Sequence, residues 1–515
     1  MNIDYFLSEV QKMLEHYLEK NIQNKLKLFN ILYSKTSMTL QDILSFLPLS
    51  VNGIHTLIHE LNLDLTGLAE IKRQASSFTI IFYKETTFIE LLHIIYQSSD
   101  VLACLKFMIL NEENQSLTSF IEEHYLTRSS AYRIRETCGK YLYSIGLTRK
   151  GNQIIGEEYR IRFLIALLHY QFGIDCYTIT QNDVDLTRSF ILSTNPSIDE
   201  SYTDTTENEF GFFECLFILL WKRKKFAVQP IISKELEDCK GLFVYEKLKN
   251  ALRAFEPKLN ITLSQYDYDY LYLVYCTTNS YLFADQWTRQ DIEQLHKIVF
   301  STPAFADLLN RTEKKLGKAL ASSPILKTAL VYFYKKCLLE LQCIIPNKNF
   351  YLDATKSPIT QLIYNAISDT MDDWRKSNHK KYAISDGHIF YLALQMEMII
   401  KKSLKPVSVW VLSELRSELD IMTAYLKRLF PAERADICSF CIGADQKENI
   451  CSQKQNVIII NKKFRYLIEK WDLSKDNTIV FISVELNTPE LIDISKAIIH
   501  YEEENFFAFV RKISS

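Results

Sequence analysis

The chain has 515 residues, of which 47% are hydrophobic and 24% charged, with a formal net charge of −2. That length fits roughly three to five domains, the composition excludes intrinsic disorder, and near-neutrality means that a polyanion partner is met by a local element. With only 12 glycines and 11 prolines a long all-β or loop-rich architecture is excluded, a mainly helical chain is expected, and no apolar run approaches the length of a membrane span.

The N-terminus, MNIDYFLSEVQKMLEHYLEK, is amphipathic and mixed in charge. It lacks a basic start followed by an apolar core, so it does not read as a secretory signal. Residues 24–33 read as an amphipathic helix. Residues 39–46 follow as a short helix capped by Thr39, Leu47-Pro48-Leu49 makes a turn, and Ser50 caps a further helix to about Leu61. Residues 77–83 (SFTIIFY) are β-rich. This is helix-turn-helix followed by a wing. Its second helix, VNGIHTLIHEL, carries His55 and His59 but almost no cation. Phosphate neutralisation needs Lys or Arg, so a supporting role or weak backbone contact is expected of it. Residues 87–110 supply two helices that pack behind the next motif.

That motif spans residues 116–162 and organises the chain. Leu117, Phe120 and Ile121 stripe a short first helix, with Ser116 as its expected N-cap. A second helix begins near residues 127–130. Its apolar positions, Ile134, Cys138, Tyr141, Leu142 and Ile145, recur at three- and four-residue steps, and Gly146 stops it. Residues 148–156 read as a hairpin with Arg149 and Lys150 near its tip and Gly151-Asn152 as the turn. Between residues 128 and 162 stand eight cations (Arg128, Arg133, Arg135, Lys140, Arg149, Lys150, Arg160, Arg162) and three acids (Glu136, Glu157, Glu158), a local surplus of five positive charges. First helix, tight turn, cationic second helix and basic hairpin are the pattern of a winged helix-turn-helix, whose second helix enters the major groove while the wing touches the backbone.

Residues 156–173 form a long apolar-striped helix leaving this motif, with His169 as a core or boundary histidine. From about residue 174 to 403 the chain is helical and repeats itself. At an offset of 119 residues VYEKLKNALRAF (244–255) lies over IYNAISDTMDDW (363–374), and DYLYLVYC (269–276) over HIFYLALQ (388–395). Two tandem helical domains follow. After Pro406 the texture changes. Residues 407–412, 436–442, 456–460 and 478–484 read as strands, with helices at 418–429, 489–499 and 502–512, which makes a small α/β domain with a parallel sheet. The 11 cysteines are scattered and odd in number; Cys104, Cys215 and Cys337 sit in apolar helical patterns and read as reduced core residues of a cytoplasmic protein. Cys438 and Cys441 form a CSFC without a second CxxC or His pair, so neither metal nor cofactor is expected.

Two winged helix-turn-helix units, two tandem helical domains and a C-terminal α/β domain together resemble the Mga/AtxA group of transcriptional regulators of low-GC Gram-positive bacteria. The carriers are RSSAYRIRETCGKYL and GLTRKGNQIIGEEYRIRF for the Mga-type helix-turn-helix. The tandem domains are similar to PTS regulation domains, and the last domain looks like a phosphotransferase enzyme IIB. The implied division is 1–84, 85–173, 174–287, 288–403 and 404–515. The resemblance implies a non-enzymatic DNA-binding activator of virulence or surface-protein genes. It also implies a homodimer formed partly through the C-terminal domain, and tuning by a phosphocarrier protein at histidines of the tandem domains. The sequence departs from this pattern in two places. Where PTS regulation domains carry a histidine late in a YLxLH-like helix, this chain has Cys276 and Gln395, which leaves His379, in the basic loop KSNHKKY, and His388 as candidates. The loop after the first IIB-like strand, residues 412–416, has no Cys or His, although N–H groups of the following helix remain able to bind an anion.

The site residues follow. Arg128, Ser129, Ser130, Tyr132, Arg133 and Arg135 are expected to face the major groove of double-stranded DNA. Lys140, Arg149 and Lys150 are expected to contact phosphates. The alternative is a phosphotransferase-responsive interaction hub, or a related phosphotransferase component, that does not bind DNA. RNA antitermination fits less well, because antiterminators begin with a small β-rich domain and this chain begins with helices.

Overall fold

Thr39, Ser50, Thr87 and Thr127 each precede an apolar-striped run, and each caps a helix in the computed structural model. The structure describes residues 13–35, 37–83, 85–111, 113–198, 210–230, 233–278, 282–346, 357–451, 455–475, 477–483 and 486–514. The N-terminal reading falls mostly on residues 1–12, outside the described residues. Of the described residues 66% are helical, and the chain divides into two units, residues 1–311, 328–355 and 370–392 in one and 312–327, 356–369 and 393–515 in the other.

The first unit opens with a winged helix. Helix α1 (Lys20–Ser34) packs on α3 (Val51–Asp64), which follows α2 (Leu40–Phe46) across the Leu47-Pro48-Leu49 turn. Strands β1 (Met38–Thr39), β2 (Ala69–Gln74) and β3 (Ser77–Phe82) form an antiparallel sheet in the order β1-β3-β2. The sequence reading did not find β2, because only Ala69 and Ile71 of AEIKRQ are buried and the rest carries charge into solvent. Helices α4 (Phe88–Gln97) and α5 (Asp100–Leu110) follow. No single helix among the described residues is long and apolar enough to cross a membrane. The apolar pair α4 and α5 bends by 80° between its members.

Helix α6 (Thr118–Glu123) and helix α7 (Arg128–Ser144) form the second helix-turn-helix. The expected N-cap of α6 is corrected. Leu117 holds that position without a side-chain cap, and the Ser116 hydroxyl accepts only from the Thr118 N–H at 3.4 Å. Leu117 is buried, and seating it in the core moves the helix start past Ser116. Strands β4 (Thr148–Lys150) and β5 (Gln153–Ile155) pair antiparallel as the wing, turning at Gly151 with φ +62°.

Helix α8 (Glu158–Phe172) then passes through the unit, and every residue from 159 to 168 is buried. A helix apolar on all sides is a core helix, yet this one carries Arg160 and Arg162. Both find partners inside the protein, although Arg162 Nη1 is buried without a hydrogen bond among the described residues. Arg162, fully buried, donates to the Glu158 carboxylate at 3.0 Å and to the carbonyls of Arg223 and Phe226 at 3.3 and 3.2 Å, over the face of Tyr270. Arg223 closes the cluster with a bidentate pair to Glu158, both bonds 2.7 Å, and a bond to the Tyr177 hydroxyl. Arg160 donates to the carbonyls of Ile145, Leu339 and Glu340 and lies over Tyr382. Gly173 ends α8 at φ +65°, with the His93 ring so close that a Cβ would stand 2.5 Å from it.

The helical region that follows carries the 119-residue register. Helix Phe243–Leu259 corresponds to Pro358–Ser377, and Gln265–Thr277 to Asp386–Ser403. Tyr245, Leu248, Phe255, Tyr272 and Leu273 are buried, as are Ile367, Trp374 and Leu392 at the matching positions.

In the second unit, β6 (Val407–Ser413), β7 (Ala435–Cys441), β8 (Val457–Asn461) and β9 (Thr478–Ile482) form a parallel sheet in the order β7-β6-β8-β9. Both faces are covered. Val407, Val409, Val411, Val457 and Ile459 face one apolar cluster, and Leu412, Ile458 and Ile460 the other. That is why NVIII lacks alternation. The two expected C-terminal helices are one, Thr488–Ser514.

Glu158 balances two buried guanidinium groups. Glu158→Gln should therefore destabilise the first unit by about 3–5 kcal/mol, the range for uncovering a buried charge, read as a lowered midpoint in urea denaturation.

Candidate nucleic-acid interface

Thr127 starts α7 by accepting the Ser130 N–H at 3.2 Å, and its hydroxyl also reaches Ser129 and Ser130. From that cap the helix turns Ala131, Ile134, Cys138, Tyr141 and Leu142 into the core. The opposite face exposes Arg128, Ser129, Tyr132, Arg133, Glu136, Lys140 and Tyr143. Steps of three and four keep these on one stripe. The wing turn is fixed from outside: the Asn152 N–H donates to Asn114 Oδ1 at 2.8 Å and the Asn152 side chain to the Gln115 carbonyl at 2.9 Å.

The nine predicted residues fall into two groups. Arg128, Arg133, Lys140 and Lys150 are exposed cations with no ion pair among the described residues, and Ser129 and Tyr132 are exposed beside them. Ser130, Arg135 and Arg149 are engaged. Ser130 belongs to the cap. The Arg135 guanidinium meets Asn152 Oδ1 at 3.4 Å and Glu136 at 3.5 Å, and lies over the Tyr132 ring. Arg149 pairs with Glu136 at 2.6 Å and donates to the Gly151 carbonyl. Helix and wing are thus tied together by their own charges.

This corrects the count of local charge. Arg160 and Arg162 are buried in α8 and present nothing to a polyanion, because the apolar stripe that carries them is the core. Residues that the sequence reading missed include Glu136, which was counted only as an acid, and Gly139. A Cβ on Gly139 would stand 2.8 Å from Arg149 Nε, so the glycine lets Arg149 lie across the helix. A glycine in mid-helix costs about 1 kcal/mol and signals such a contact. Tyr125, at φ +52° in the turn between α6 and α7, is 96% exposed.

In the first winged helix, α3 exposes Asn52, His55, Thr56 and His59, and the wing exposes Lys72 and Arg73. Lys25 is turned inward to Asp64 and Glu60.

Two winged helix-turn-helix units followed by a duplicated helical region define a DNA-binding transcriptional regulator. Three family models match the chain: the M protein trans-acting positive regulator (MGA) HTH domain at residues 19–74, the Mga helix-turn-helix domain at 84–169, and the M protein trans-acting positive regulator (MGA) PRD domain at 188–388. The chain belongs to the Mga-type family of transcriptional regulators. No curated protein matches it.

The two candidate regulatory histidines differ in setting. His379 is exposed, at φ +51° in the turn after helix Pro358–Ser377. His388 is buried, and its Nε2 donates to the Pro346 carbonyl at 3.2 Å. At the positions where the family's motif carries histidine, Cys276 is half-buried with its thiol pushed up to about 12 by burial, and Gln395 is half-buried.

Around the loop after β6, Ser413 Oγ donates to Glu418 at 2.6 Å and accepts from the Leu415 N–H, while Glu414 pairs with Lys463. Glu414 and Glu418, both exposed, add negative charge beside this loop, which disfavours an anion there. Cys441, at the end of β7, lies 3.8 Å from the Glu414 carbonyl. Cys438 and Cys441 are three residues apart on one strand and point to opposite faces.

Lys150→Ala should weaken every duplex alike and flatten the salt slope by about one. Arg133→Ala, if it removes a bidentate base contact, should cost about 1–3 kcal/mol on the preferred sequence only. Salt-dependent binding titrations distinguish the two. Burial, reinforced by Lys336, holds the His388 imidazole well below the ordinary histidine value. The folded chain then keeps it neutral, and below about pH 6.5 the unfolded chain binds one more proton, so stability falls as pH drops, by up to about 1.4 kcal/mol per pH unit. His388→Gln should remove that slope in urea titrations between about pH 7.5 and pH 5.5, leaving the part contributed by His93, which burial also lowers.

Proposed function

We propose that this chain activates transcription of virulence or surface-protein genes as a homodimer, with the second winged helix-turn-helix reading the operator. The exposed stripe of Arg128, Arg133 and Lys140 beside Lys150 of the wing carries this reading. The first winged helix contacts the DNA backbone through Lys72 and Arg73 of its wing. The matched models bear the name of a positive regulator, which supports activation.

The second unit resembles enzyme IIB in its strand pattern and serves as the dimerisation module, not as a catalyst, because residues 412–416 offer no nucleophile. Helix Arg416–Leu429 exposes Ile421, Tyr425 and Leu429 at four-residue steps. An apolar stripe facing solvent suits an isologous contact with a second copy. A phosphocarrier protein tunes the regulator at His379 or His388. The exposed His379, beside Lys380 and Lys381, suits an acidic or phosphoryl partner, and the added charge shifts domain contacts.

A gel-shift titration of the full chain with a long AT-rich duplex tests the central claim. Salt-sensitive binding is expected, and no binding at low salt by either the wild type or its phosphorylated form would move the interaction-hub reading into first place. Ile421→Asp with Tyr425→Asp should convert the sedimenting dimer to monomer while leaving the circular dichroism unchanged, since both side chains are exposed.

A further inference from the structure

A carboxylate at the centre of a DNA-reading face needs an explanation, because it repels the phosphates that supply most of the affinity. Glu136 is such a group. It is exposed on the same stripe of α7 as Arg133 and Lys140, and its side chain is 56% exposed. It accepts from Arg149 Nη2 at 2.6 Å and pairs with Arg135 Nη2 at 3.5 Å. Both arginines are also held by second partners. Arg149 Nη1 donates to the Gly151 carbonyl at 3.2 Å, and Arg135 Nη1 to Asn152 Oδ1 at 3.4 Å, itself anchored to residues 114 and 115. Gly139 leaves the space through which Arg149 crosses α7 to reach Glu136. The pair is therefore built into the helix and the wing, not a chance surface contact.

We propose that Glu136 is a specificity-determining residue of this interface: its carboxylate holds Arg149 and Arg135 in set positions across helix and wing and withholds both cations from the phosphates of random duplex. The inference rests on the DNA-binding reading above.

The physical argument compares two kinds of complex. Binding to random duplex is almost wholly electrostatic, and each phosphate neutralised adds about 0.9 to the salt slope. An arginine already paired at 2.6 Å gains little by exchanging one carboxylate for one hydrated phosphate. Within the second winged helix, random binding is thus limited to the unpaired cations, Arg128, Arg133, Lys140 and Lys150. A matched site depends instead on groups placed to meet base edges, and a guanidinium held in a fixed plane loses less freedom on forming a bidentate bond. The carboxylate weakens the first kind of binding and supports the second. A plain surface ion pair predicts something different, namely that its removal changes both kinds alike or neither.

The test uses the full chain, a duplex enriched by the wild-type protein from a random pool, and a scrambled duplex of the same length. Glu136→Gln removes the charge and keeps the shape. It should raise affinity for the scrambled duplex by about tenfold and steepen its salt slope by about one to two. Affinity for the enriched duplex should change by less than about threefold, so the ratio between the two falls by about tenfold. Glu136→Asp keeps the charge and should retain low scrambled affinity. Adding Arg149→Ala to Glu136→Gln should remove part of the gain, and adding Arg135→Ala as well should abolish it. Because Glu136 is exposed, the melting temperature should not move.

Equal change on both duplexes, unchanged affinity on both, or a gain that survives the loss of both arginines would each overturn the proposal. If the wild type shows no salt-sensitive binding to any duplex, the DNA-binding reading fails, and that result is distinct from the others.

Discussion

The ion cluster of Glu158, Arg162 and Arg223 is the constraint on which the first unit depends. Two guanidinium groups and one carboxylate lie in a core where each ion loses several kcal/mol of hydration. Charge alone does not balance there. The remainder is met by the carbonyls of Arg223 and Phe226, the Tyr177 hydroxyl and the faces of Tyr270 and Phe226. These acceptors belong to the helical region after residue 174, whereas Glu158 and Arg162 belong to the helix that leaves the wing. Neither side can be folded correctly with the other displaced, since a displaced partner leaves a bare charge in the core.

Arg160 makes a second tie of the same kind, one turn of chemistry away. It reaches back to the Ile145 carbonyl at the end of α7 and forward to Leu339 and Glu340 in the second half of the duplication. The end of α7 and residues of both helical repeats are thus bonded through two neighbouring arginines on one buried helix. The C-terminal end of α7 and residues 339–340 are held to one buried side chain of α8.

Most of the elements were legible in the sequence, and the reasons are local. Thr39, Ser50, Thr87 and Thr127 are capping residues placed just before three- and four-step apolar runs, and Gly151-Asn152 turns between two short basic strands. What was not legible depended on tertiary partners. Strand β2 carries Lys72, Arg73 and Gln74 outward and has too few apolar residues to alternate. Arg160 and Arg162 look in sequence like part of a basic face, and only the fully apolar surroundings of residues 159–168 reveal that they point into the core. The candidate interface was legible as a set of residues but not as an arrangement. Sequence counts Arg135, Glu136 and Arg149 as charges, and the structure pairs them, so the cations available to a polyanion are fewer than the local surplus suggests.

The second unit makes the same point from the other direction. Four parallel strands in the order β7-β6-β8-β9 place a crevice beyond the carboxyl ends of β6 and β8, where such sheets bind ligands at the change of strand order. In this chain the loop at that crevice is closed by its own side chains, Ser413 to Glu418 and Glu414 to Lys463. A negatively charged ligand there would have to displace Glu414 from Lys463 and stand beside Glu418. The sheet is complete and buried on both faces, and the loop at its crevice carries two exposed acids, Glu414 and Glu418. The core is set by the strands' apolar residues, Leu412 among them, whereas Glu414, Leu415 and Arg416 of the loop are exposed, so the chemistry of the loop can change without disturbing the sheet.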